Sequence, residues 1–143
     1  MTRDETYAAV LAALEHRLDA DSLRKIWATA FDPDYAVLDV VSACRIPVVL
    51  MTNNGPILED CLDHERADVA GPFARVFLSW RLEARKPSPE AFERVLGALQ
   101  QRADEVLLVD DDELNCLAAR SVGWQSLHFV RSSRLREALV GLV

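Results

Sequence analysis

The chain has 143 residues, half of them hydrophobic and 27% charged, with a formal net charge of −7 and a sequence pI near 4.9. That is enough for one globular domain with a real core. The acidic balance disfavours nucleic acid, which is gripped through basic surface, and no apolar run approaches the ~20 residues that span a bilayer.

The first elements read as helices. Residues 5–18 carry Tyr7, Val10, Leu11, Leu14 and Leu18 at helical spacing. A second helix is expected over 21–31, with Asp21 as N-cap and Leu23, Ile26, Trp27 and Phe31 facing inward. The segment Asp32-Pro33-Asp34 breaks it, and a third helix runs from Tyr35 to about Ala43. PVVLMT, 47–52, is a short apolar, β-branched run bounded by Pro47 and NNGP, and reads as a buried strand. Residues 56–66 look helical, and RVFLS, 75–79, is a second strand. Ser88 and Pro89 suit the N-cap and first turn of the next helix, with Glu90 favourable at its positive end. Strands at 106–109 and 126–130 follow, separated by a helix over 114–122 that Gly123 closes. A last helix is expected at 132–140. Strands alternating with helices argue for an α/β domain with a parallel sheet of about four strands, Rossmann-like, covered on both faces.

Chemistry concentrates after the strands, where open α/β sheets bind ligands. Thr52-Asn53-Asn54-Gly55 offers a hydroxyl and backbone N–H groups at a helix start, suited to phosphate; its plainer reading is a capped turn. Lys86 is stiffened by Pro87 before a helix and can neutralise carboxylates or meet a phosphoryl oxygen; alone it also reads as a surface lysine. The apolar run Val106–Val109 ends in Asp110, Asp111, Asp112 and Glu113. Packed like charges call for relief by a cation, a lysine or water, and hard cations such as Mg2+ take oxygen ligands of this kind. Asp112 and Glu113 suit the start of the next helix. Cys44, Cys61 and Cys116 are an odd count without metal-type spacing, and His16, His64 and His128 lie far apart. The cysteines read as reduced thiols. With no secretory h-region in MTRDETYAAV, they point to a cytoplasmic protein.

In this order, VVLMTNNG, RKPSPEAF and VLLVDDDELN resemble the second, third and fourth motifs of the haloacid dehalogenase (HAD) superfamily, mostly phosphatases and related hydrolases. The resemblance covers about residues 31–130. It implies that residues 1–31 are a helical cap remnant and 32–143 the α/β core. It implies that Thr52 and Asn53 bind a phosphoryl group, that Lys86 acts as the catalytic lysine and also contacts phosphate, and that Asp110 and Asp111 ligate Mg2+. Asn115 would order the loop. A small phosphorylated metabolite is the implied substrate.

The family's first motif, a strand ending in Asp-x-Asp whose first aspartate is the nucleophile, has no convincing match. Asp32-Pro33-Asp34 has the spacing, but KIWATAF before it reads as an amphipathic helix, so no nucleophile is assigned. In the family that strand lies between the strands that here end at Thr52 and Asp110. Those two strands must therefore pair directly, leave a gap, or accept a strand from another chain. The expectation is a compact four-stranded sheet prone to self-association. Functionally, the chain reads as a truncated or degenerate hydrolase, inactive alone because covalent catalysis needs its attacking group. The alternative is a pseudoenzyme that binds phosphate or a protein partner. A response-regulator receiver domain also uses acids, Thr and Lys, but in a different order along the chain.

Overall fold

A computed structural model describes residues 1–139 and 141. Three helices come first: α1 (Arg3–Ala13), α2 (Ala20–Thr29) and α3 (Tyr35–Ala43). Thr2 caps α1 through a reciprocal capping box with Glu5. The helix ends earlier than the apolar spacing suggests, because Glu15 and His16 adopt left-handed φ of 52° and 53°, and Leu14 is exposed.

The cap of α2 also differs from expectation. Asp19, not Asp21, accepts the Ser22 N–H at 2.7 Å. Asp21 instead lies in the first turn and pairs with Arg24 and Lys25. The buried face carries Leu23 and Ala28, whereas Ile26, Trp27 and Phe31 are exposed. Asp34 is the N-cap of α3, its carboxylate accepting from the Ala36 and Val37 N–H groups.

The α/β part follows: β1 (Val49–Thr52), α4 (Pro56–His64), the single turn α5 (Ala67–Ala70), β2 (Arg75–Leu78), the single turn α6 (Ser79–Leu82) and α7 (Pro89–Leu99). A 3-10 turn (Ala103–Glu105) precedes β3 (Leu107–Asp110), then α8 (Glu113–Ser121), β4 (Gln125–His128) and α9 (Ser132–Ala138). Ser88 stands at the N-cap of α7 but makes no side-chain capping bond, and Pro89 fills the first position. The expected extension of the last helix to residue 140 lies outside the described residues. Gly123 follows α8 at φ +90°, a conformation that only glycine adopts without strain.

All four strands are parallel, as expected, but they form two pairs and not one continuous sheet. β1 pairs with β2, Val49 opposite Arg75 through Thr52 opposite Leu78. β3 pairs with β4, Leu107 opposite Gln125 through Asp110 opposite His128. Of the three outcomes open to the strands ending at Thr52 and Asp110, the chain takes the gap. Among the described residues, one edge of β1 and one edge of β3 have no strand partner.

Packing bridges what the strands do not. Phe77 of β2, Leu108 of β3, Phe92 and Val95 of α7, Cys116 and Ala119 of α8 and Trp124 form one buried cluster. Phe92 meets the Trp124 ring edge-on, with centroids 5.5 Å apart. A second cluster joins α2, α4 and β2 through Leu23, Ala28, Ile57, Leu58, Cys61, Leu62 and Leu78, with Tyr7 and Val10 of α1 packed against it. A third, smaller one sets Val40 of α3 against Leu135 and Leu139, with Leu127 and Phe129 beside them.

Candidate active site

The three sequence motifs meet at the carboxyl ends of the strands through a chain of hydrogen bonds. Thr52 closes β1, and its Oγ1 accepts from Asn54 Nδ2 at 2.7 Å. The Asn54 carbonyl in turn accepts from Ser79 Oγ and the Trp80 N–H, which anchors the loop to α6. Gly55 then caps α4, and Pro56 begins it.

Asn53 makes the next link. Its amide group reads the backbone of Lys86 from both sides: Oδ1 accepts the Lys86 N–H at 2.9 Å and Nδ2 donates to the Lys86 carbonyl at 2.8 Å. An amide is suited to this because it carries a donor and an acceptor side by side. Lys86 precedes a cis peptide to Pro87. Its ammonium donates to Asp110 Oδ2 at 2.5 Å, and the two side chains are 12% and 5% exposed.

The other Asp110 oxygen is equally engaged. Oδ1 accepts the Asp112 N–H and Asn115 Nδ2, each at 2.9 Å. Burial pushes the Asp110 carboxyl up. The hydrogen bonds from Lys86, Asn115 and the Asp112 N–H, with the Lys86 charge, outweigh burial and hold it below the usual carboxylate range. Beneath, Cys116 Sγ contacts the Asp110 carbonyl at 3.7 Å.

The remaining acids are placed differently. Asp111 is exposed, and its carbonyl oxygen accepts from His128 Nε2 at 3.0 Å. Asp112 is the N-cap of α8, accepting the Leu114 N–H at 2.8 Å, and Glu113 opens the helix, the roles their positions suggest. Asn115 does more than order the loop: it is buried and binds Asp110 directly, while its own Oδ1 has no protein partner. Its place in the first turn of the helix that Asp112 caps was the available signal. His128 reaches the site because β4 pairs with β3, which the local sequence around it does not reveal.

Asp32 and Asp34 lie elsewhere, in the connection between α2 and α3, with Asp34 spent on its cap. Among the described residues no strand leads into them.

A Mg2+ ion needs several oxygen ligands with free lone pairs in near-octahedral array. These residues do not supply that set. Asp110 has both oxygens committed, and among the described residues no group of three or more His, Cys, Asp or Glu side chains could hold a metal.

A family model described as haloacid dehalogenase-like hydrolase matches residues 3–123. Among solved structures, a HAD family enzyme from Bacteroides thetaiotaomicron superposes with a TM-score of 0.78 at 20% identity, covering 97% of this chain and 72% of that one. An aspartate-to-alanine mutant of that enzyme, in complex with magnesium and inorganic phosphate, gives 0.72 at 21% identity, covering 89% and 69%. A predicted HAD-like family hydrolase from Porphyromonas gingivalis gives 0.77 at 16% identity, covering 99% and 73%. At these identities the structures speak for the fold. With the family match over most of its length, the chain belongs to the haloacid dehalogenase-like hydrolases.

Proposed function

We propose that these 143 residues form the α/β core of a phosphatase-type HAD-like hydrolase that does not turn over by itself. The observation that carries this reading is the hydrogen-bonded chain from Asn53, the residue after Thr52, through Lys86 to Asp110, which joins all three motifs at one end of the strands. A phosphoryl group of a small metabolite would meet the Thr52 hydroxyl, the Asn53 backbone N–H and the Lys86 ammonium. Each is a donor or a positive charge suited to phosphate oxygens. The solved relative with magnesium and phosphate supports this substrate class.

Hydrolysis by covalent catalysis also needs an attacking carboxylate. Asp110 is committed to Lys86, and Asp34 caps a helix. The nucleophile would have to come from outside these residues, from contiguous sequence or from another chain. The unpaired edges of β1 and β3 support association as a second part of the reading, because free backbone N–H and C=O groups attract a pairing strand. The free thiols Cys44, Cys61 and Cys116 suit a reducing, cytoplasmic setting. No helix among the described residues is long and apolar enough to cross a membrane.

The test is an assay with p-nitrophenyl phosphate and Mg2+ on this chain and its Asp32→Asn variant. The expected result is no turnover above buffer for either. Robust turnover abolished by Asp32→Asn would overturn the reading and make Asp32 the nucleophile.

A further inference from the structure

We infer that the Lys86 ammonium is the resident cation of the Asp110 carboxylate, and that while this pair stands it keeps divalent metal ions off the end of β3. The inference goes beyond the hydrolase reading and does not depend on turnover.

Three observations carry it. First, both carboxylate oxygens are engaged: one holds Lys86 Nζ, and the other holds Asn115 Nδ2 and the Asp112 N–H, which fills three of about four lone-pair sites. A metal taking Asp110 as a ligand would have to displace one of these donors or share Oδ2 with the ammonium. Second, Lys86 is not free to withdraw. Asn53 clamps its backbone N–H and carbonyl, so only the side chain can move, and that side chain is nearly buried where it stands. A displaced ammonium would be left with a divalent ion nearby, and like charges at short range repel strongly away from bulk water. Third, the neighbouring acids add little. Asp112 is turned to the N-terminus of α8, and Asp111, held by His128 through its backbone carbonyl, offers one solvent-exposed carboxylate, short of the several oxygen ligands that Mg2+ takes.

Asp110, the buried acid of the run VDDDE, therefore has its charge balanced within the chain. The need for a cation that the sequence suggests is met by a lysine 24 positions upstream. The buried Asn115 Oδ1, which has no protein partner, is an amide oxygen shut off from solvent. It adds a single neutral acceptor beside the Asp110 carboxylate.

The experiment titrates Mn2+, as a paramagnetic stand-in for Mg2+, into the wild-type chain, Lys86→Met and the double variant Lys86→Met/Asp110→Asn. Free Mn2+ is read by its electron paramagnetic resonance signal. The wild type should bind weakly at most. Removing the ammonium should tighten binding by at least about tenfold, the scale on which one close charge shifts a neighbouring site. The double variant should lose that gain. Wild-type binding as tight as that of Lys86→Met, or no gain in Lys86→Met, would overturn the inference. Should Lys86→Met fail to fold by circular dichroism, amide resonances of the wild type decide. Asp110–Asn115 signals that stay sharp with added Mn2+ uphold the inference, and selective broadening there overturns it.

Discussion

The helix after β1 and the helix after β3 hold equivalent places in the chain, each following a strand, yet they are buried to different extents. In α4, Pro56, Ile57, Leu58, Asp60, Cys61 and Leu62 are buried, because α1 and α2 lie over it and close a second layer. In α8 only Asn115, Cys116 and Ala119 are buried, while Leu114 and Leu117 are 62% and 50% exposed. The first half of the molecule is sandwiched between its sheet and a helical cover. The second half has its sheet and one layer on that side, and its inward-facing residues include the polar Asn115–Asp110 pair. Among the described residues the halves share no strand pairing. They are joined by the cluster around Phe92, by the smaller one that sets Val40 against Leu135 and Leu139 and, at the site, by Lys86 and Asp110. Stability in such a molecule depends on a few joints, and each can be broken separately.

The largest effect should come from Phe92→Ala, which empties a fully buried position shared by β2, β3 and α8. A loss of about 3–5 kcal/mol is expected, read by urea unfolding. If the two halves then melt in separate transitions, the cluster is what makes them one cooperative unit; a single transition would mean that other contacts also couple them. Next comes Lys86→Ala. Removing one partner of a nearly buried pair leaves the Asp110 carboxylate uncompensated and should cost about 3 kcal/mol. Replacing both partners in Lys86→Met/Asp110→Asn should cost less than the sum of the single changes. A smaller contrast separates the two acids before α3: Asp34→Ala should cost about 1 kcal/mol through the lost cap, while Asp32→Ala should leave the melting curve nearly unchanged. Equal effects would mean that the cap is not where the hydrogen bonds place it. The mildest test uses the thiols. Burial, and then the nearby Glu65 charge, push Cys61 up to about 11, and Cys116 is also raised by burial. At neutral pH a thiol reagent should label the half-buried Cys44 first and reach Cys61 and Cys116 only on unfolding.

Much of this was legible in the sequence, and the parts that were not have physical causes. The strands and the Tyr35–Ala43 helix stand where their patterns put them, because short apolar β-branched runs and a capped helix are local signals. The convergence of Thr52, Lys86 and Asp110 was legible through motif order, since strand ends in a parallel sheet face the same way. The inward face of α2 was not. Ile26 and Trp27 fit an apolar stripe, but α4 packs against Leu23 and Ala28, and tertiary contact overrides the pattern. The early end of α1 turns on left-handed conformations at Glu15 and His16, residue types that do not advertise them. The division of four strands into two pairs follows from what lies between β1 and β3, which no local window encodes. The sequence raised the possibility that a lysine could relieve the acidic run; that Lys86 does so at Asp110 required geometry.

The double hold of Asn53 on Lys86 has a consequence for anyone who would redesign this loop. The amide serves as a short splice between two segments 33 residues apart, offering one donor to a carbonyl and one acceptor to an N–H. Aspartate at that position would keep the acceptor and set a second lone pair against the carbonyl. Serine would be too short to span both prongs, and glutamine would need the loop to retreat by a methylene. Position 53 thus tolerates almost no conservative exchange although its side chain is exposed. A surface-charge redesign that treated it as free solvent-facing space would unfasten the lysine from its aspartate without touching either one.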